Sequence, residues 1–299
     1  MAHLHVITGA TDHAAALPIR KISFADLRDA LAQGVDDFLA MPSHAVFLCL
    51  IYPVVGLVIA RLVLGYNVLP LMFPLAAGFA LLGPFAALGL YEMSRRREAG
   101  LDVSWSHALD VFRSPSIDAI AVLGLLLVAT FLVWIAVAQS IYVAYFGYKP
   151  AAAVSGFISQ VLTTPAGWGL IVVGNFVGFL FAVMVLTVSV ISFPLLLDRD
   201  VGAATAVLTS VRAVLSNPVP MAAWGLIVAA LLVIGSIPAL LGLTIVLPVL
   251  GHATWHLYRK VVEPDDSDRP RFRDPSHRPR RPAAEFPASL FPSRWSDLS

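Results

Sequence analysis

The stretch IDAIAVLGLLLVATFLVWIAVAQSIYVAYF, residues 117–146, decides the fold class of this chain. Its only charged residue is Asp118, in the first turn. A helix of this length measures about 45 Å at about 1.5 Å per residue, whereas the hydrocarbon core of a bilayer is about 30 Å thick. The stretch therefore predicts a membrane-spanning helix that is tilted or that protrudes from the bilayer.

Five further apolar stretches have spanning length, and together they predict a protein built from membrane helices. Of the 299 residues, 58% are hydrophobic and 13% are charged, against about 25% charged residues in a soluble domain. We predict an all-α polytopic membrane protein with six transmembrane helices, arranged as three hairpins with cytoplasmic amphipathic helices. The further spans are expected at 44–64, 70–91, 164–192, 219–239 and 242–260.

Three regions of different composition follow from these spans. Residues 1–21 lack any pattern and are predicted to form a flexible N-terminus. Residues 22–262 form the six-span membrane domain. Residues 263–299 are rich in Pro and Arg and poor in aliphatic residues, a composition that cannot bury enough apolar surface to fold. We therefore predict a disordered, basic, Pro-rich cytoplasmic tail.

The charged residues are distributed unevenly between the two sides that the spans define. All 20 Lys and Arg except Arg61 and Lys149 fall in segments that face the same side, and the 19 Asp and Glu lie on that side or at span ends facing it. Because loops rich in Lys and Arg stay in the cytoplasm, we expect both termini to be cytoplasmic. No charged residue falls at mid-membrane, which disfavours ion-coupled transport.

An amphipathic stretch that ends in proline precedes three of the spans. The segments read VDDFLAMP to Pro42, ALDVFRSP to Pro115 and VRAVLSNP to Pro218. Proline stops a surface helix because the residue before it disfavours the α conformation. The pattern favours three parallel repeats, and the alternative is a chance match with this common physical cause.

The first amphipathic helix is predicted to begin at a capping box formed by Ser23 and Asp26. Its polar face is mostly acidic, and acids are repelled by anionic lipid headgroups. We therefore expect this helix to lie against protein. Its apolar face, at helical spacing, consists of Phe24, Leu27, Leu31, Val35, Phe38 and Leu39.

The strongest candidate site is a histidine pair at the cytoplasmic end of the sixth span. His252 and His256 are four residues apart, so they share one helix face, and two imidazoles at this spacing can bind one metal ion. A haem or another cofactor is a further possibility. His44 and His107 could complete a site, since no third ligand is evident nearby. The alternative is an interfacial belt of His, Trp and Tyr at headgroup depth.

Other polar residues are weaker candidates. Asn175 is predicted to lie mid-span within Gly174–Gly178, a spacing typical of close helix packing with an interhelical hydrogen bond, and a substrate contact is the alternative. Asp198, Arg199 and Asp200 are interpreted as a charge cluster at a helix end, or else as a functional site.

Part of the chain resembles a known group of membrane proteins. The stretch FPLLLDRDVGAATAVLTSVRAVLSNPVPMAAWGLIVAALLVIG (193–235), followed by GHATWHLYRK (251–260), resembles a family of bacterial multi-pass membrane proteins. That family is catalogued as a domain of unknown function, and some members are labelled cytochrome c oxidase components. The resemblance extends over roughly residues 20–262. It implies a helical protein of the bacterial inner (cytoplasmic) membrane.

The leading functional hypothesis is a non-enzymatic scaffold or assembly factor for a membrane complex, because the polar, helix-rich rim gathers on one side of an uncharged core. A small-molecule transporter or channel, and a metal- or haem-binding membrane protein, are the alternatives. On the leading hypothesis we expect no enzyme activity and no cofactor. The expected partners are the lipid bilayer, another membrane protein complex and anionic lipid at the basic tail segment 269–282, and no nucleic acid is expected.

Overall fold

A computed structural model of the protein describes residues 17–41, 69–148, 154–238 and 240–263, together with four helical positions between Val54 and Arg61. The predictions for residues 1–16, for the first span at 44–64 with its following loop, for His44 and for the tail after Glu263 lie outside these residues. Within them the chain is helical, and no strand longer than the single antiparallel bridge between Ile19 and Val262 occurs. The all-α prediction is confirmed.

The described residues form eleven α-helices and two 3-10 helices. The α-helices are α1 (Phe24–Ala40), α2 (Met72–Leu81), α3 (Gly83–Ala86), α4 (Leu88–Glu98), α5 (Ile117–Phe146), α6 (Val154–Thr163), α7 (Pro165–Ser189), α8 (Ser192–Asp198), α9 (Ala203–Ser216), α10 (Pro218–Ser236) and α11 (Leu243–Val261). Two 3-10 helices cover Leu69–Leu71 and Trp105–Arg113, and the second is called the 105–113 helix below.

Three stretches of the described chain are long and apolar enough to cross a membrane. They are α5, the α7–α8 unit from Pro165 to Asp198, and α10. The bounds of α5 equal those predicted from its sequence. Thr164 caps α7, since its Oγ1 accepts a hydrogen bond from the Gly167 amide at 3.0 Å. Pro165 begins the helix, where its missing N–H costs nothing.

The other two predicted spans within the described residues have a different form. Residues 70–91 are divided among a 3-10 turn, α2, α3 and the start of α4, with breaks on either side of Gly83–Ala86. Pro84 accounts for the first break, because it lacks the N–H that a continuous helix needs. The predicted sixth span is the helix α11, which contains Pro248, but its second half is buried in protein.

Most buried side chains of the described residues belong to a region that we call the packed base. It comprises α1, α4, the 105–113 helix, α8, α9 and residues 250–261 of α11. Every residue of α8 is buried, and Trp255 and Tyr258 of α11 are among the largest fully buried side chains. The remaining lengths of α5 (122–146), α7 (166–184) and α10 (225–236) expose many apolar residues, and we call them the apolar arms.

The chain before α1 is fastened to the packed base by backbone hydrogen bonds. The Arg20 amide donates to the Val261 carbonyl at 2.8 Å, and the Glu263 amide donates to the Pro18 carbonyl at 3.2 Å. Asn217, between α9 and α10, accepts from the Ile22 amide at 2.9 Å and donates to the Arg20 carbonyl at 3.1 Å. Asn217, directly before the predicted stop at Pro218, therefore anchors a segment far away in sequence.

Helix α1 begins at the predicted capping box but buries a different face from the predicted one. The Ser23 amide donates to Asp26 Oδ2 at 2.8 Å, and the Asp26 amide donates to Ser23 Oγ at 3.4 Å. The helix packs against α11, as expected for an acidic helix. However, Phe24 and Leu39 of the predicted apolar face are exposed. The buried stripe keeps Leu27 of the predicted face and otherwise consists of Ala30, Gly34 and Asp37.

Two of the three predicted helix–proline–span repeats lie within the described residues. The 105–113 helix precedes Pro115 and α5, and α9 precedes Pro218 and α10. The two amphipathic helices differ in kind, since the first is a 3-10 helix and the second an α-helix. Val111 and Val214, each four residues before the proline, also differ in environment, because Val111 is buried whereas Val214 is only half-buried. The repeats share a stop signal but not a common packing.

Candidate functional site: a buried carboxylate between two histidines

The histidine pair faces a carboxylate that the sequence analysis did not single out. Helices α1 and α11 cross closely at Gly34, where an added Cβ would lie 2.6 Å from the Cβ of Ala253 and 2.7 Å from its backbone nitrogen. Only glycine fits such an approach. One turn along α1 from this crossing, Asp37 is buried, with 3% of its surface exposed, beside His252 and His256.

Four side chains surround the Asp37 carboxylate. His256 Nε2 lies 2.9 Å from Oδ2, and the Ser94 hydroxyl of α4 donates to the same oxygen at 2.5 Å. Arg97, one turn further along α4, pairs with Oδ1. His252 Nδ1 lies 3.9 Å from Oδ2 and 2.7 Å from the Ser94 oxygen. We call these five residues the Asp37 cluster.

The hydrogen bonds of Ser94 indicate which nitrogen of His252 carries a proton. A serine hydroxyl has one hydrogen, and Ser94 donates it to the carboxylate. The contact with His252 then requires His252 Nδ1–H to donate to Ser94. Nε2 of His252 is buried and has no hydrogen-bond partner among the described residues. This imidazole is fully enclosed, and we assign its tautomer from the network rather than from an observed hydrogen.

The cluster keeps Asp37 ionised. Burial opposes the charge and by itself would raise the pKa of Asp37, but hydrogen bonds from His256, Ser94 and Arg97 outweigh it and lower the pKa to about 2. A buried carboxylate is tolerated when donors satisfy its lone pairs. The anion therefore joins α1, α4 and α11 through bonds that all depend on its charge.

A second group of charges ties the last turns of α11 to α4 and α8. Asp198 accepts from the Tyr258 hydroxyl at 2.7 Å and lies 3.5 Å from the Arg259 guanidinium. Glu98 accepts from the Trp255 indole N–H at 2.9 Å and from Arg259 Nε at 2.9 Å. Arg259 therefore bridges two carboxylates on two helices.

The predicted Asp198, Arg199 and Asp200 cluster lies at the C-terminal end of α8, but its members have separate roles. Asp198 is buried and faces α11, as described above. Arg199 Nε lies 3.8 Å from Asp198, and its Nη2 donates to the Glu263 carbonyl at 2.5 Å. Asp200 is half-buried beside them. These contacts are those of a structural charge cluster.

A further buried acid lies on α4, close to the Asp37 cluster in sequence. Glu92 is fully buried and accepts from Arg95 at 2.7 and 2.8 Å. Burial raises the pKa of Glu92, and the adjacent Arg95 opposes this shift. Arg96 reaches Asp110 of the 105–113 helix at 3.6 Å. The arginine run that contributes to the predicted orientation therefore also joins elements of the packed base.

Asn175 lies in an apolar arm, far along the chain from these charges. Its Nδ2 donates to the Ile171 carbonyl of its own helix at 2.7 Å, and the side chain is exposed. The interhelical bond predicted from the glycine spacing is therefore replaced by an intrahelical one. Gly178, but not Gly174, allows a close approach, since an added Cβ there would lie 3.1 Å from the Trp134 ring.

The metal-binding hypothesis gains a neighbouring carboxylate but no complete ligand set. Each histidine has one ring nitrogen engaged by Ser94 or Asp37, and His107 Nδ1 accepts the Ser104 amide at 3.0 Å in a helix cap. No group of three or more His, Cys, Asp or Glu placed to hold a metal occurs in the part of the chain that the structure describes. Metal or haem binding at His252 and His256 stays a prediction.

Sequence reasoning missed Asp37, Ser94 and Arg97. An acid on an amphipathic helix is normally interpreted as part of its solvated face, and a serine in a polar stretch carries no signal. One signal was available: Gly34 and Ala30 lie three and seven residues before Asp37 and form a small-residue stripe with it. Such a stripe indicates close helix contact, which would have moved Asp37 from the surface to the interface.

The fold and its apolar helices define a multi-pass integral membrane protein. Residues 71–198 match the family model described as "Predicted integral membrane protein (DUF2189)", a domain of unknown function. The matched segment runs from α2 to α8 and contains Ser94 and Arg97 but neither Asp37 nor the two histidines. No curated protein and no solved structure matches the chain.

Proposed function

We propose that this protein is a non-enzymatic scaffold or assembly factor for another membrane complex. It resides in a bacterial inner membrane, crosses it six times as three hairpins, and keeps both termini and the packed base in the cytoplasm. The one-sided distribution of Lys and Arg supports this orientation. The basic tail adds attraction to anionic lipid.

The enclosure of the Asp37 cluster is the observation that carries the proposal. Ser94 and His252 are fully buried, and Asp37 is almost so. A catalytic group must reach its substrate in a geometry suited to proton or bond transfer. In this cluster each polar side chain instead contacts another helix of the same chain, which makes the packed base a rigid platform for binding other proteins.

One arm offers a face suited to a partner helix. Val172, Phe176, Phe179 and Val183 follow one another along α7 at spacings of four and three residues, and all are exposed. Residues at this spacing form a single stripe, the pattern with which helices pack side by side. Asn175 flanks the stripe, and a polar side chain in the membrane can bond to a neighbouring helix. We assign this stripe to a transmembrane helix of the partner complex.

Photo-crosslinking in living cells tests this assignment. A photoreactive phenylalanine analogue is placed at Phe176 or Phe179, and the control position is Leu125 of α5, which is also exposed, at 72%. We expect both stripe positions, but not Leu125, to yield an adduct with the same membrane polypeptide, and the assembled form of that complex to decline when this gene is deleted. Adducts with lipid or with this chain alone would overturn the proposal.

A small-molecule transporter or channel is the second candidate. The interrupted course of residues 69–98 supports it, since broken membrane helices frequently line transport sites. Uptake into vesicles that contain the purified protein, compared between the native chain and Pro84→Ala, tests this function. Equal and background-level uptake by both proteins for a panel of neutral and amphipathic solutes would rule it out.

A further inference from the structure

The 105–113 helix presents three different stripes. A 3-10 helix has three residues per turn, so residues three apart eclipse one another. Ala108 and Val111 are buried in the packed base, where an added Cβ on Gly89 of α4 would lie 3.0 Å from Ala108. Leu109 and Phe112 form a second stripe, which is exposed at 51% and 71%.

The third stripe is polar and is held within the chain. His107 caps the helix through Ser104, and Asp110 accepts from Arg113 at 3.0 Å. Arg113 itself is exposed, with 62% of its side chain accessible. The helix therefore keeps one apolar stripe for the base and turns a second outward beside charged residues.

The 105–113 helix lies directly before α5 in the chain, so its exposed stripe of Leu109 and Phe112 is close in sequence to the start of a membrane-spanning helix. Only residues 114–116 separate it from α5. Asp118 of α5 is exposed, and the large exposed apolar residues of this helix begin at Val122. At about 1.5 Å per residue, Val122 lies about 7.5 Å beyond Ile117. The lipid-facing length of α5 therefore starts a few residues after the 105–113 helix ends. Amphipathic helices next to such a length can insert their apolar face about 5–10 Å into the headgroup and acyl boundary.

Aromatic residues mark both ends of the membrane region. Tyr145, near the C-terminal end of α5, and Trp168, near the N-terminal end of α7, are exposed at the ends of these helices that lie away from the packed base. Trp105 begins the 105–113 helix and is exposed at the base side. Trp and Tyr at both interfaces form the belts typical of membrane proteins, so Trp105 is placed where the inner belt is expected.

We propose that the 105–113 helix is a lipid-surface anchor. Leu109 and Phe112, aided by Trp105 and Leu101, insert into the acyl boundary of the leaflet beside the packed base, and Arg113 stays at the phosphates. The exposed area of these four apolar side chains is on the order of 400 Å². A stable protein interface needs about 800 Å² from each partner, so the stripe is too small for a protein partner but sufficient for lipid.

Spin labels on the full chain in liposomes test the anchor. Cys49, the only cysteine, is replaced by alanine, and the label is attached to Phe112→Cys or Leu109→Cys. The matched control is Arg113→Cys on the adjacent polar stripe. We expect the ratio of collisions with oxygen, which dissolves in lipid, to collisions with a water-soluble nickel chelate to be several-fold higher at positions 109 and 112 than at 113.

Two results would overturn the anchor. Equal ratios at 109, 112 and 113 would place the stripe in water. Low accessibility of 109 and 112 to both reagents would mean that protein covers the stripe, either a second copy or the chain itself. All three labelled positions are exposed, so the variants are expected to fold, and thermal unfolding in the same liposomes verifies this.

Discussion

The packed base and the apolar arms differ in what they bury: the base buries charged side chains together with apolar ones, whereas the arms leave many apolar side chains exposed. In the base, Asp37, Glu92 and Asp198 are buried and paired with donors, which come from other helices for Asp37 and Asp198 and from Arg95 of the same helix for Glu92. In the arms, the membrane length of α10 after Trp224 buries only Gly235, and no charged residue occurs between Val122 and Phe146 of α5. The base is organised like the core of a soluble protein, whereas the arms depend on lipid or on other helices.

This contrast indicates where the stability of the chain originates. Interactions in the base join elements that are far apart in sequence, such as Asp37 and His256, which are 219 positions apart. Exposed apolar side chains in the arms gain little from one another, because lipid is as apolar as they are. Substitutions in the base should therefore affect folding, and substitutions in the arms should affect association.

The largest effect is expected from removing the charge of Asp37. In Asp37→Asn, Arg97 and His256 lose the anion that they pair with, and breaking a buried ion pair from one side costs about 3–5 kcal/mol. We expect the unfolding free energy in detergent to fall by about 3 kcal/mol. The neighbouring Asp36 is exposed, so Asp36→Asn is the control and should change it by less than about 0.5 kcal/mol. Equal effects of both substitutions would show that the buried charge of Asp37 does not stabilise the packed base.

A smaller loss is expected when the crossing of α1 and α11 is blocked. In Gly34→Ala the new methyl group would lie 2.7 Å from the Ala253 backbone nitrogen, which cannot rotate away. Overpacking of this kind costs about 1–3 kcal/mol. Nothing lies within 4 Å of an added Cβ at Gly156 of α6, so Gly156→Ala should instead stabilise the protein by up to about 1 kcal/mol. Unfolding curves of Gly34→Ala and Gly156→Ala, each measured beside the native chain, give the two changes in unfolding free energy.

The pH dependence of stability should also originate in the base. Because the pKa of Asp37 is lowered to about 2, its contribution is complete above the unfolded pKa of about 3.9. It is lost as the pH falls through the folded value. We expect the native chain to lose about 2 kcal/mol between about pH 5 and pH 2, and Asp37→Asn to lack this part of the loss. An unchanged acid profile in Asp37→Asn would show that another group is responsible.

Local sequence patterns predicted the helices of this protein much better than they predicted which helices and side chains contact one another. The uniform apolar character of 117–146 defines α5, and the capping box at Ser23 defines the start of α1, because both signals are complete within one stretch. The histidine pair was found for the same reason, since four-residue spacing places both rings on one face.

Contacts between residues that are far apart in sequence could not be predicted in the same way. The burial of Asp37 depends on small residues of α1 meeting Ala253, and on Ser94 and Arg97 of a third helix. Helix α4 begins after a break near Pro84, within the stretch that was predicted as a single span. The charge of Asp37 suggested a solvated face, and only its distant partners reverse that expectation.

The smallest effect on stability, and the sharpest test of the contrast, is expected from Asn175→Leu in an arm. Asn175 is exposed and bonds only to its own helix in the described contacts, so the unfolding free energy should change by less than about 0.5 kcal/mol. If a partner helix packs on the stripe of α7, the crosslinked adduct at Phe179 should nevertheless weaken, because interhelical hydrogen bonds contribute about 0.6 kcal/mol on average.

A matched control for Asn175→Leu is available on α5. Ser140 is also exposed and donates back to the Ala136 carbonyl of its own helix at 2.8 Å, so Ser140→Ala removes a comparable bond away from the stripe. We expect it to leave both the unfolding free energy and the adduct unchanged. A drop in stability with Asn175→Leu that matches the loss of adduct would place α7 among the elements that fold the chain, and the arms would then resemble the base.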